Sequence, residues 1–249
     1  MSQNTTPDAS TKPTVVLVHG AFVDSSSWNG VLAELRRDGY PVLTAANPLR
    51  GLDADVDYLR SILNSVDGPV VLAGHSYGGV VISEAADGNP QVRALVYVAG
   101  FILEEGESAG ELAAKFPGAQ LAGSLRRVPV TAPSGEGPVD DLYIDQEQFR
   151  GVFAADVPEE VTDLLAATQR PIVADALEAK ATRTAWKTIP SWNLVTLKDL
   201  AIPAEAQRFM GERAGSRSVE VDASHAVTVS QPGAVARMIE EAARATTAG

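Results

Sequence analysis

Short apolar runs recur along the chain from residue 14 onwards, and segments with helical periodicity lie between them. The runs are rich in Val and Leu and lack the alternation typical of a strand with one exposed face. Continuous apolar runs of this length predict strands buried on both faces, as in a parallel sheet covered by helices. The predicted strands are residues 14–18, 42–45, 70–73, 95–98, 192–196 and 218–221.

Segments with apolar residues at helical spacing separate most of these runs. Gly39 and Gly215 follow two of the segments and are expected to end their helices. Strands and helices in alternation predict βαβ units with right-handed crossovers in one mostly parallel sheet. The predicted helices are residues 28–37, 52–66, 79–86, 204–214 and 233–245.

The alternation is interrupted between residues 103 and 187, where a Pro- and Gly-rich stretch at 129–138 precedes the helical patterns at 158–167 and 171–181. We interpret this segment as a helical cap insertion within one domain spanning residues 1–249. An insertion between two strands of an open α/β sheet lies over the carboxyl edge, where such sheets bind ligands. Residues 1–12 lack any apolar pattern and are predicted to be disordered.

Composition excludes several classes of function. The chain has 20 Lys and Arg against 32 Asp and Glu, a net charge of −12, so we expect no nucleic-acid partner and no membrane partner. It has no Cys and only 3 His, so we predict no metal site. The glycines at 74–79 depart from the G-x-G-x-x-G spacing of dinucleotide sites, so we predict no cofactor. No apolar stretch is long enough to span a bilayer and no signal peptide is recognisable, so the expected location is the cytoplasm.

Candidate chemistry begins with the sequence G-H-S-Y-G at residues 74–78, directly after a predicted strand and before a predicted helix. A sharp strand-to-helix turn needs small residues on both sides of its apex, because a Cβ there would collide with neighbouring backbone. A capping serine in a Gly-rich turn would share the pentapeptide, but the strand and helix around it favour a nucleophile. We therefore predict that Ser76 is a nucleophile.

A serine hydroxyl needs a base to accept its proton. His19 lies in the first turn after a strand and His75 lies within the pentapeptide, which leaves His225 as the candidate base. It follows the last predicted strand, and a histidine after the serine in chain order is expected for hydrolases with this motif.

A carboxylate must then orient the imidazole. Asp199, after the strand at 192–196, is the preferred candidate because it gives the order Ser76, Asp199, His225. The alternatives are Glu104 and Glu105 after the strand at 95–98, and Asp222, which is close to His225 in sequence. The sequence leaves these alternatives open.

An oxyanion formed at the substrate carbonyl needs backbone donors. Tyr77, next to the nucleophile, offers one amide, and Ala21, in the loop that follows the first strand, offers a second. Gly20 allows that loop to approach closely. Residues beside these turns are expected to line the substrate pocket: Phe22, His75 and Phe101.

Four segments together resemble the α/β-hydrolase superfamily: VLVHGAF at 16–22, GHSYGG at 74–79, LKDLAIP at 197–203 and SHAV at 224–227. With ATQRP at 167–171, the chain resembles bacterial relatives of the plant group that contains salicylate-methylester esterases and hydroxynitrile lyases. The resemblance implies the α/β-hydrolase fold, a triad of Ser76, Asp199 and His225, oxyanion donors at Ala21 and Tyr77, and a cap at 103–187.

Two positions depart from that group. Hydroxynitrile lyases of the group carry Lys directly after the catalytic histidine, where this chain has Ala226. Residues 196–198 also differ from the expected Gly-Thr-Glu pattern before the acid.

The resulting hypothesis is a cofactor-free serine esterase that acts on a small-molecule ester or lactone as a monomer or homodimer. Two alternatives use the same fold. One is another reaction with the same triad: a carbon-carbon lyase or hydrolase, or a haloperoxidase-type activity. The other is a receptor for a small ligand.

Overall fold

The computed structural model describes residues 12–131 and 137–247. In chain order the strands are β1 (Thr14–Val18), β2 (Val42–Ala45), β3 (Val70–His75), β4 (Val92–Val98), β5 (Leu125–Thr131), β6 (Pro138–Ile144), β7 (Ile172–Val173), β8 (Ser191–Thr196) and β9 (Arg217–Val221). Six of them form one sheet in the order β2-β1-β3-β4-β8-β9, and every pair in that sheet is parallel. The predicted parallel sheet is therefore confirmed.

Helices cover both faces of this sheet. Alternate residues of β1 explain why its run is continuously apolar: Val15 packs in the cluster with α1 and α10, whereas Val16 packs in the cluster with α2, α3 and α8. The helices are α1 (Asn29–Arg37), α2 (Leu52–Leu63), α3 (Gly78–Ala86), α4 (Ala109–Lys115), α5 (Gln146–Phe153), α6 (Glu159–Ala167), α7 (Ala174–Glu178), α8 (Ala204–Arg213), α9 (Val227–Ser230) and α10 (Pro232–Thr247).

Glycines end two of these helices as expected. Gly39 follows α1 with φ of 78°, and Gly215 follows α8 with φ of 63°. Both angles lie in the left-handed region, which glycine adopts without a steric penalty. The predicted disordered segment at 1–12 falls outside the described residues except for Lys12. Within the described residues, no helix combines the length and apolarity that crossing a membrane requires.

The segment between β4 and β8, which we call the cap (residues 103–187), is only partly helical. It contains α4 to α7 and also an antiparallel sheet in the order β5-β6-β7. The sequence stretch 171–181, predicted to be one helix, contains β7 and then α7. The expectation of a helical cap therefore needs correction. The strands β5 and β6 lack a continuous apolar run because many of their residues are partly exposed.

The cap lies over the carboxyl edge of the parallel sheet. Its backbone contacts the loops that follow β1, β2 and β9, and the carboxyl ends of parallel strands share one edge. The three contacts are hydrogen bonds from Phe22 N–H to Arg170 C=O (3.0 Å), from Val173 N–H to Leu49 C=O (3.1 Å) and from Ala226 N–H to Phe153 C=O (2.9 Å).

Candidate active site

Ser76 stands at the apex of the turn between β3 and α3. Its φ of 55° is in the left-handed region, which costs a residue with a side chain about 1–3 kcal/mol. The flanking glycines make the turn possible. A Cβ on Gly74 would lie 2.5 Å from the carbonyl oxygen of Gly78, and a Cβ on Gly78 would lie 2.6 Å from that of Val18. The G-x-S-x-G spacing thus has a direct steric cause.

Three backbone hydrogen bonds hold the strained serine. The Ser76 N–H donates to Val98 C=O at 3.2 Å, and the Ser76 C=O accepts from the N–H groups of Gly79 at 3.0 Å and Phe101 at 3.2 Å. The end of β4 and the residues after it therefore fix the Ser76 peptide groups. Phe101 lies beside the serine through this bond.

Asp199 and His225 are in direct contact. The Asp199 Oδ2 atom lies 2.7 Å from His225 Nδ1, and both side chains are buried. Because Nδ1 faces a carboxylate, it carries a proton, and in the neutral ring Nε2 is then the acceptor. His225 Nε2 is buried and has no hydrogen-bond partner among the described residues.

A set of donors fixes the Asp199 carboxylate. Its Oδ1 atom accepts from the N–H groups of Ala201 and Ile202, both at 2.8 Å. Its Oδ2 atom accepts from Thr196 Oγ1 at 2.8 Å and from Gln207 Nε2 at 2.9 Å, in addition to the histidine. These bonds fix the orientation of the carboxylate toward the ring.

The sequence motifs gave no indication of Thr196 and Gln207. Thr196 ends β8, and its position three residues before Asp199 is a weak local signal. Gln207 lies on α8, and only the packing of this helix against β8 brings its amide to the acid.

The other three candidate acids lie elsewhere. Glu104 pairs with Lys187, and Glu105 is exposed. Asp222 pairs with Lys198 Nζ at 2.7 Å, and both side chains are more than 60% exposed. Among the carboxylates considered, Asp199 is the one that the structure brings to His225.

His75 supports the histidine loop. Its Nε2 atom donates to the His225 carbonyl oxygen at 2.9 Å, and the two rings lie 4.8 Å apart between centroids. Burial lowers the pKa of His75 to about 3, so the ring is neutral at physiological pH. His75 is expected from the sequence to line the substrate pocket. In the structure its side chain is buried and contacts His225.

The end of α5 brings the cap to the same loop. The Phe153 ring lies 4.8 Å from the His225 ring, and the Phe153 carbonyl accepts from Ala226 N–H and from Ser224 Oγ at 3.3 Å. The Ser224 hydroxyl also donates to Asp156. Cap residues thus bond to both neighbours of His225, to the Ser224 hydroxyl and to the Ala226 backbone.

The loop after β1 packs on the nucleophile. A Cβ on Gly20 would lie 2.6 Å from Ser76 Cβ, so only glycine permits this approach. Within the described residues, no intramolecular hydrogen bond uses the N–H of Ala21 or Tyr77. Phe22, with φ of 65°, follows in the same turn, and its ring meets the Phe153 ring edge to face at 6.5 Å.

The site places a serine in a strained turn, a histidine paired with a buried carboxylate, and two amides without intramolecular acceptors at one edge of the sheet. Groups of this kind can activate a hydroxyl and stabilise an oxyanion. Within residues 12–131 and 137–247, no three His, Asp or Glu side chains are grouped as metal ligands.

Comparison with known proteins identifies the family. The model of the alpha/beta hydrolase family matches residues 15–238, so the chain belongs to this family. The alpha/beta hydrolase nvfD of Aspergillus novofumigatus is 28% identical over 254 residues, which cover 93% of this chain and 97% of that protein. A pyrethroid hydrolase of Sphingobium wenxiniae is 28% identical over 252 residues, which cover 93% and 88%.

A solved structure shows the same fold. The crystal structure of polyneuridine aldehyde esterase matches with a TM-score of 0.79 at 20% sequence identity, and the match covers 93% of this chain and 99% of that chain. The resemblance stated from the sequence motifs is therefore confirmed for family and fold.

Proposed function

We propose that the protein is a serine esterase that cleaves small carboxylic esters or lactones through an acyl-enzyme. The observation that carries this proposal is the buried bond between Asp199 Oδ2 and His225 Nδ1, in a loop packed against the residue that precedes Ser76. The names of two similar proteins, a pyrethroid hydrolase and polyneuridine aldehyde esterase, support hydrolysis of an ester.

In the first half-reaction, His225 Nε2 accepts the proton of the Ser76 hydroxyl while Ser76 Oγ attacks the ester carbonyl carbon. The amides of Ala21 and Tyr77 donate to the resulting oxyanion. His225 then gives its proton to the leaving alkoxide, and an acyl-serine remains. Asp199 keeps the proton on Nδ1 and stabilises the imidazolium throughout.

In the second half-reaction, water gives a proton to His225 Nε2 and attacks the acyl carbon. The same amides stabilise the second oxyanion. His225 then gives the proton to Ser76 Oγ as the bond between the acyl carbon and Ser76 Oγ breaks, and the carboxylic acid leaves. Ser76 is 7% exposed, and the Phe153 ring of the cap packs on the His225 ring. This enclosure favours small substrates.

The test is hydrolysis of p-nitrophenyl esters from acetate to octanoate. We expect Ser76→Ala to lower kcat by about 10³-fold or more. Ser61→Ala is the matched control, because Ser61 is exposed on α2 and its hydroxyl bonds only the Asp57 carbonyl. A Ser76→Ala variant as active as the wild type would overturn the proposal.

A chelator is included in all assays, and we expect it to leave the rate unchanged. Product analysis of the reaction separates ester hydrolysis from carbon-carbon cleavage. Tight retention of a ligand without turnover would instead favour a receptor.

A further inference from the structure

Tyr77 has two polar ends in different surroundings. Its N–H is one of the oxyanion donors of the proposed function, on which this inference rests. Its hydroxyl donates to Asp55 Oδ2 at 2.9 Å, in the helix layer beneath the site. The Tyr77 side chain is 1% exposed and Asp55 is fully buried. The residue that follows the nucleophile is therefore anchored by its side chain to α2.

The carboxylate that receives this bond is itself fixed. Asp55 lies in the first turn of α2, and its Oδ1 atom accepts from Arg50 N–H at 3.1 Å. The Arg50 guanidinium donates to Asp141 Oδ1 in β6 at 2.7 Å and to the Pro171 carbonyl at 3.1 Å. The loop before α2 thus connects Asp55 to the cap.

The protonation states agree with this geometry. Burial raises the pKa of Asp55 to about 6, and it raises the pKa of Tyr77 well above its usual value. At neutral pH the phenol is therefore the donor and the carboxylate is mainly ionised. A hydrogen bond to an ionised group is stronger than one between neutral groups.

The Tyr77 N–H belongs to the peptide group between Ser76 and Tyr77. The carbonyl side of that peptide is held by bonds from Gly79 and Phe101, at 3.0 and 3.2 Å. On the other side, Tyr77 directly precedes α3, and its carbonyl accepts from the N–H groups of Val80 and Val81 at 3.0 and 3.4 Å. Its phenol adds a side-chain anchor to α2. An oxyanion donor acts at 2.7–3.1 Å from the developing charge, so a small displacement lowers its effect.

We infer that Asp55 is a positioning residue for the oxyanion hole, because it holds the Tyr77 hydroxyl and thereby sets the direction of the Tyr77 amide. The bond between Tyr77 and Asp55 matters in the transition state, because the oxyanion that the Tyr77 amide stabilises exists there. Its loss therefore lowers kcat and leaves KM unchanged.

The test compares an oxygen ester with its thiono analogue, p-nitrophenyl benzoate with O-p-nitrophenyl thionobenzoate. Sulfur is a weak hydrogen-bond acceptor, so the thiono substrate gains little from the oxyanion donors. In Tyr77→Phe we expect kcat for the oxygen ester to fall about 10-fold, with kcat for the thiono ester nearly unchanged. The ratio of the two rates therefore falls by a similar factor.

Tyr97→Phe is the matched control. Tyr97 is also fully buried, and its hydroxyl bonds Ser83 Oγ at 2.7 Å instead of Asp55. We expect the rate ratio to stay at the wild-type value in this variant. Asp55→Asn keeps an acceptor for the phenol, so its ratio should lie between those of the wild type and Tyr77→Phe.

An unchanged ratio in Tyr77→Phe, or an equal fall for both substrates, overturns the inference, since a purely structural loss affects both reactions alike. Partial unfolding of a sample does not change the ratio of the two rates, because one preparation supplies both. Failure of the proposed function is a different result, in which wild type and Ser76→Ala hydrolyse the oxygen ester equally.

Discussion

The carboxyl edge of the parallel sheet and the cap contribute to the same site in different ways. Ser76 follows β3, Asp199 follows β8 and His225 follows β9, so the topology places all three residues at the same edge of the sheet. The cap contributes single contacts, such as the Phe153 ring and the Arg50–Asp141 ion pair, made by residues far apart in sequence. The sheet edge thus holds the candidate catalytic residues, and the cap contacts the loop that carries His225.

The largest expected effect lies at the sheet edge. Asp199→Asn should lower kcat by about 10³–10⁴-fold, because an amide in place of the carboxylate favours the wrong imidazole tautomer. Glu104→Gln is the control, since Glu104 pairs with Lys187 instead. Ester assays on both variants measure the effect. If Glu104→Gln were the impaired variant, Asp199 would not be the acid.

The second expected effect is a pH dependence of stability. The pKa of His75 is lowered by burial to about 3, below the value of 6.5 in an unfolded chain. Between these pH values the unfolded state binds the extra proton, so stability is full above pH 6.5 and falls as the pH decreases. From pH 7 to pH 5 this histidine alone should remove about 2 kcal/mol of unfolding free energy.

Urea unfolding at pH 7 and pH 5 checks this expectation. In His75→Gln the amide can still donate to the His225 carbonyl, but the titrating ring is gone. The loss of stability between the two pH values should therefore be about 2 kcal/mol smaller in the variant. An equal loss in both proteins would contradict the assignment to His75.

Two adjacent aspartates of β6, in the cap, form ion pairs that differ in burial. The Asp141 side chain is 8% exposed and pairs with Arg50, whereas that of Asp140 is 40% exposed and pairs with Arg127. Asp141→Asn should destabilise the protein by about 1–3 kcal/mol, because it removes the ionic partner of Arg50 at the contact between cap and core. Asp140→Asn should change stability by less than about 0.5 kcal/mol. Equal effects in urea unfolding would show that the Arg50 contact does not anchor the cap.

The smallest expected effect comes from replacing a glycine of the cap by alanine, and the same replacement at the sheet edge gives the contrast. Gly151 is exposed within α5, and an added Cβ there meets nothing within 4 Å. Gly151→Ala should stabilise the protein by about 0.5–1 kcal/mol and keep full activity. The same change at Gly20 would place a Cβ against Ser76 and should lower kcat. Thermal unfolding and ester assays on both variants test this contrast, and a fully active Gly20→Ala would contradict the close packing.

The sheet edge was predictable from sequence because its signals are local. A strand, a small-residue turn and a helix follow one another around Ser76, and steric limits at Gly74 and Gly78 set that pattern. The cap was less predictable. Strands β5 and β6 lack continuous apolar runs, and the proline at 129 occurs in β5, at the edge of its sheet, where the missing N–H is tolerated.

Contacts between distant segments also escaped prediction. Gln207 reaches Asp199 only because α8 packs on β8 with that face turned inward, and Asp55 reaches Tyr77 only because α2 lies beside α3. From the neighbouring sequence alone, each side chain is indistinguishable from an ordinary polar residue of a helix. Its role depends on the orientation of a whole helix, which local patterns do not encode.

Covalent labelling tests the central claim, that His225 and Asp199 activate Ser76, most directly. Wild type and His225→Asn are treated with a fluorophosphonate, and the labelled peptide is identified by mass spectrometry. We expect one label on Ser76 in the wild type, at a rate at least about 10²-fold higher than in His225→Asn, because general-base assistance contributes at least that factor. A label on another residue, or equal rates in both proteins, would contradict it.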